Sequence, residues 1–192
     1  MIRCKAKRMK AVYVVNDPKI AAILIDPMRR AILELLRQKP MTQSQLANEL
    51  GVSAPSLNFH IKKLRSKKLV IVVKREIEKH RIMQIFFASV AYLFVYDLEA
   101  LPKNIGRYFF PVSLERARSV LSAYYVMEGR NDPSANYTCN EVNEIAELLS
   151  NLLVKTAKHY QNKEVEYGEE KVVNFIYKRC INSAISQKKI IF

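Results

Sequence analysis

The 192-residue chain is 49% hydrophobic, carries a formal net charge of +14 and has a pI near 9.7. That apolar content excludes wholesale disorder, and the length allows one large domain or two small ones. A positive excess of this size points to a polyanionic partner, either nucleic acid or an anionic membrane surface, against the plainer alternative of a merely basic soluble protein.

The charge is unevenly placed. Residues 1–88 hold 19 Lys/Arg against 6 Asp/Glu, a net +13, and residues 89–192 hold 13 against 12, a net +1. In chain order, Arg3, Lys5, Lys7, Arg8 and Lys10 form a basic run that suits a solvated tail or a contacting arm. Residues 11–15 suit a short strand or the lead-in to a helix. Asp17-Pro18 and Asp26-Pro27 each place an N-cap acceptor before a proline at the first helical position. The second predicts a helix to about Gln38, with Met28, Ile32, Leu35 and Leu36 on one face. Thr42 to Gln45 spells a capping box opening a short helix that buries Leu46 and Leu50 and ends at Gly51.

Ser53 is the next N-cap. It predicts a helix from Ala54 to about Ser66 with Leu57, Ile61 and Leu64 on one stripe. Residues 69–73 read as a strand, 74–81 as a charged turn and 82–88 as a returning strand. Helix, helix, tight turn, helix and hairpin make a winged helix-turn-helix, whose last helix is able to enter a DNA major groove. The DNA-facing residues expected at the turn and on that helix are Ser53, Ala54, Pro55, Ser56, Asn58, Phe59, Lys62, Lys63 and Lys67, with Lys74, Arg75, Lys79 and Arg81 on the wing. Ser56 and Asn58 are able to bond base edges, and Phe59 or Ala54 to touch a thymine methyl. Lys62, Lys63, Arg65, Lys67 and Lys68 put five cations in seven residues. They suit phosphate contact, although cations also suit any helix C-terminus. Glu76 and Glu78 weaken the case for the wing.

Asp26-Pro27-Met28-Arg29-Arg30-Ala31-Ile32-Leu33 resembles the opening helix of ArsR-type winged helix regulators. The segment from Ser53 to Leu64, followed by Leu69-Val70, resembles their recognition helix and first wing strand. The resemblance covers about residues 17–88 and implies a homodimer on a palindromic operator. Two departures stand out. Lys68 occupies a position where the family often has glycine, and the helix before the turn, Gln43 to Glu49, lacks the paired cysteines of the metal sensors. With His60, His80 and His159 scattered, no metal and no cofactor is expected, and His60 is read as packing at the helix flank or touching DNA.

The second half is less informative. Residues 91–96 fit a strand or a buried helix segment, and 101–112, with Pro102, Gly106 and Pro111, look like a loop. A helix is expected after Ser113, with Leu114, Ala117, Leu121 and Tyr124 on one face, then a loop over 129–136. Thr138 to Glu141 spells another capping box, followed by a stripe through Val142, Ile145, Leu149, Leu152 and Thr156. A last helix is expected over about Glu169–Gln187, with Val172, Ile176, Cys180 and Ala184 along it. Such stripes suit a core or a dimer interface. Tyr92, Tyr96, Tyr108, Phe109, Phe110, Tyr124 and Tyr125 are able to line an effector pocket or simply to fill the core. Cys139, at a helix N-terminus, would have its thiolate stabilised there and so could sense oxidants, although an inert thiol is the simpler reading.

Cys4, Cys139 and Cys180 have no CxxC spacing, which disfavours a zinc finger, and scattered thiols suit a reducing cytoplasm. The N-terminus makes a poor signal peptide, and no apolar run long enough to span a membrane appears. No nucleophile–base–acid set and no glycine-rich phosphate loop is visible, so an enzyme is not expected. The sequence thus predicts a mainly α chain. Residues 1–96 form a winged helix-turn-helix domain with a basic N-terminal arm, and 97–192 form a helical dimerisation or effector region. The function expected is that of a cytoplasmic homodimeric regulator of transcription, with double-stranded DNA and an unknown small-molecule effector as partners. The alternatives are a winged-helix protein-interaction module and an architectural chromatin protein with no operator.

Overall fold

The computed structural model describes residues 8–77, 83–127 and 139–186. Most of the basic N-terminal run therefore lies outside the described residues. From Met9 the chain is a buried strand, β1 (Met9–Val15). Two capped helices follow, α1 (Pro18–Leu24) and α2 (Pro27–Gln38). The Asp17 and Asp26 carboxylates accept from the Lys19 and Met28 backbone N–H groups at 2.8 and 2.9 Å, satisfying donors that a helix start leaves open. A short β2 (Met41–Thr42) leads into α3 (Gln43–Leu50) and α4 (Ala54–Ser66).

The wing is the hairpin β3 (Val70–Ile77) and β4 (Met83–Ser89), which with β2 makes an antiparallel sheet of order β2-β4-β3. Here the expectation of a charged turn over 74–81 needs correction. β3 continues through Ile77, with Lys74 opposite Phe86 and Arg75 opposite Ile85 after an irregularity between Val72 and Lys74. Charged side chains on the exposed end of a hairpin face solvent and do not interrupt its pairing. The expected tip residues Lys79 and Arg81, with His80, lie outside the described residues.

The next strand, β5 (Ala91–Tyr96), is buried at every position. It pairs in parallel with β1, Val12 opposite Leu93 and Val14 opposite Val95. The helix-turn-helix and its wing are thus inserted between two adjacent parallel strands. Burial on both faces explains why this segment reads as a continuous apolar run rather than an alternating one.

A further difference from expectation follows. The expected loop at 101–112 holds a one-turn helix, α5 (Lys103–Gly106), and the start of α6 (Phe110–Met127). Pro111 sits in the first turn of α6, where its missing N–H is harmless. α7 (Cys139–Lys158) begins at Cys139 and is followed by β6 (Glu164–Val165), which pairs antiparallel with β1, and by α8 (Lys171–Ser186).

Two cores share the β1–β5 sheet. Val12, Val14, Leu93 and Val95 pack with Leu149, Leu152, Ile176 and Cys180 of the C-terminal helices. Val15, Phe94 and Tyr96 pack with Ile32, Leu36, Leu57 and Leu64 of the winged helix. The expected domain boundary at residue 96 falls at the end of β5, and the two strands before it serve both cores. The described apolar stripe residues of α7 and α8 pack inside the chain. Asp97, just past β5, is buried and accepts a 2.9 Å ion pair from Lys158 Nζ, tying the second region to the end of the shared strand.

Candidate nucleic-acid interface

The turn between α3 and α4 is fixed by local chemistry. Thr42 Oγ1 accepts from Gln45 N at 3.3 Å while Gln45 Oε1 accepts from Thr42 N at 2.9 Å, a complete capping box. Gly51 has φ +63°, the left-handed conformation that lets Val52 N–H donate back to Ala47 O at 3.0 Å. Ser53 Oγ accepts from Ser56 N at 3.4 Å and starts α4. Gln43 Nε2 reaches Ala54 O at 3.0 Å, bracing the two helix starts against each other. Leu57, Ile61 and Leu64 then bury the inner stripe of α4 with Leu46 of α3.

The outer face is open. Ser53, Ala54, Pro55, Ser56, Phe59, Lys62 and Lys63 are exposed, and Asn58 and Lys67 are half-buried. Phe59 is 53% exposed, with Lys63 Nζ 5.6 Å from its ring centre. His60 turns the other way. Its Nδ1 lies 3.4 Å from Asp26 Oδ2, within ion-pair distance but out of hydrogen-bond geometry, so this side chain packs at the flank of α4 against the start of α2.

At the C-terminal end Arg65 and Lys68 are exposed beside Lys67, and no carboxylate interrupts residues 53–68. Lys68 has φ +57°, which accounts for the glycine often found there in the resembled family. Lys68 and Arg65 belong on the candidate surface, and the run of cations was their signal in the sequence.

The wing is a weaker site than the helix. Lys74 is paired with Glu76 and lies 5.3 Å from the Phe86 ring centre, so part of its charge is answered within the strand. Arg75 is exposed. The outermost described pair, Ile77 and Met83, is apolar and exposed, which residue-by-residue charge reading did not anticipate.

Part of the basic excess is engaged internally. Arg29 Nη1 donates to Ile23 O at 2.8 Å, and Arg30 Nη1 donates to Leu24 O and Ile25 O at 2.7 Å each, closing the open carbonyls at the end of α1. Lys62, Lys63, Arg65 and Lys68, by contrast, stay exposed on α4 and just past its end.

Among the described residues the aromatic side chains do not all share one pocket. Tyr96 stacks on the fully buried Phe109 at 4.1 Å, Tyr108 and Phe110 are exposed, and the side chains of Tyr124 and Tyr125 lie outside the described residues, as does that of Cys139. Cys180 is buried, and burial pushes its thiol up to about 12, which makes it a packing group. Among the described residues there is no group of three or more His, Cys, Asp or Glu placed to hold a metal, and no helix is long and apolar enough to cross a membrane.

No curated protein matches the chain. Residues 24–73 match a family model described as a helix-turn-helix domain, running from the end of α1 into the first strand of the wing. The chain is therefore built from a winged helix-turn-helix of the DNA-binding kind, followed by a mostly helical C-terminal region.

Proposed function

We propose that the chain is a homodimeric, sequence-specific regulator of transcription that binds double-stranded DNA in the cytoplasm and is not an enzyme. The observation that carries this reading is the outer face of α4. Base-reading groups (Ser56, Asn58, Phe59) lie toward its N-terminal half, and an uninterrupted set of cations lies toward its end. Recognition helices meet base edges with their first turns and phosphates with their flanks, so the order of side chains fits the task. The described residues of the C-terminal region leave that face open.

The homodimer rests on symmetry: two copies are needed to read two half-sites, and residues 97–192 are the region left to join them. The stripes that suggested an interface lie mostly within the chain's own core, so dimer contact must use other surface of that region. Selecting bound fragments from random duplex DNA at fixed salt tests the proposal. It predicts an enriched palindrome with half-sites about one helical turn apart. Dense binding without a motif would favour an architectural role, and weak, indifferent binding with a co-purifying protein would favour an interaction module.

A further inference from the structure

A cavity of about 240 Å³ lies between α2, β5 and α6, where the winged helix meets the C-terminal region. Arg30 and Arg37 enter it from α2, and Arg116 enters from α6. Tyr92, Phe94 and Tyr96 form its aromatic side. The one acidic lining residue is Glu34, itself exposed to solvent and not within ion-pair distance of any of the three guanidiniums.

Each guanidinium carries five N–H donors, and the protein uses few of them. Arg30 is held through Nη1 alone, on the two carbonyls at the end of α1. Arg116 donates through Nη1 to Phe94 O at 2.8 Å. Arg37 lies 5.3 Å from the Tyr92 ring centre, and its Nε is buried without a hydrogen-bond partner. A buried unpaired donor is costly, and three cations facing one small cavity repel each other unless an anion answers them. Arginine forks suit a carboxylate or a phosphate, and the aromatic wall suits a flat apolar body. The space is large enough for one ring with an acidic group.

We propose that this cavity binds a small anionic effector, a carboxylate or phosphate carried on a flat ring, held by Arg37 from one side and Arg116 from the other. The ligand would bridge the helix that packs against α4 to the C-terminal region. Its influence on DNA affinity rests on the function proposed above, whereas its binding does not and is measured without DNA.

The test is calorimetric titration of the full chain with benzoate and with phenyl phosphate at constant ionic strength, using benzyl alcohol as the uncharged control. Saturable one-to-one binding of at least one of the acids is expected, with none for the alcohol. Arg37→Gln and Arg116→Gln should each weaken it roughly tenfold or more. If either variant fails to fold, ring signals of labelled Tyr92 and Tyr96 in the unmodified chain give the second readout, and they should shift together on titration. Absence of saturable heat and of ring shifts for both acids would overturn the proposal. So would unchanged affinity in the folded arginine variants.

Discussion

Residues 1–88 carry a net +13 and residues 89–192 a net +1, yet both halves build their cores against the same two strands. The winged helix turns one face of β1 and β5 into its own core, and the C-terminal helices take the other. The difference between the halves therefore lies in their surfaces, one presenting a cation-ended helix and the other near-neutral, while their stabilities are joined. Charge distribution divides the chain near residue 88, and hydrophobic burial does not divide it at the same place.

The strongest way to break this comparison is through the shared core. Leu57→Ala removes a fully buried side chain and should cost about 2–5 kcal/mol. Denaturant unfolding followed by circular dichroism should remain a single transition shifted as a whole. Two separated transitions would mean that the halves fold independently despite the common sheet.

Substitutions on the open face of α4 should leave folding alone and change recognition. Ser56→Ala or Asn58→Ala should cost about 1–3 kcal/mol against the preferred duplex and much less against unrelated sequence, as competition binding at fixed salt would reveal. Asn58 is the more exacting of the two, since it is half-buried and must reach past its neighbours.

Lys68→Gly should act on both properties in opposite directions. It relieves a left-handed backbone at a residue with a side chain, which should add about 1 kcal/mol of stability by thermal melting. It also removes a cation from the binding surface, so DNA affinity should fall while the melting temperature rises.

The effect that is smallest near neutral pH concerns a buried thiol. The Cys180 thiol is raised from 9.0 to about 12 by burial. Its protonated form is favoured in the folded chain, so that contribution is fully present below about pH 9 and is lost as pH rises toward 12. At pH 8 a thiol-alkylating reagent should leave Cys180 unmodified in the native chain and label it once denaturant is added. Labelling of Cys180 at equal rates in both conditions would place it outside the core.

The winged helix was legible because its signals are local. Asp26, the Thr42–Gln45 pair, Gly51 and Ser53 each mark a helix end within four residues of the groups they satisfy. The Leu57/Ile61/Leu64 stripe states which face is hidden. The sheet was not legible in the same way. β1 and β5 pair across some eighty residues, and nothing local to either strand names its partner. Proline was read as loop punctuation at Pro111, where it occupies a helix start, and charge was read as a turn at Lys74 and Arg75, where it sits on strand. Arg29 and Arg30 enter the sequence reading only through the charge sum and the segment opening α2, and the carbonyls they close become neighbours only when α1 and α2 fold together. The cavity lined by Arg30, Arg37 and Arg116 is likewise a product of tertiary packing.

The central claim is that α4, exposed and ended by cations, lies against duplex DNA. Its most direct test is the binding constant for a duplex over a series of salt concentrations, for the unmodified chain and for the Lys62→Gln/Lys63→Gln double variant. The account predicts that log K falls linearly with log salt and that the double variant flattens the slope by about one unit per lost phosphate contact. Binding that is indifferent to salt, or slopes that coincide for the two proteins, would contradict it.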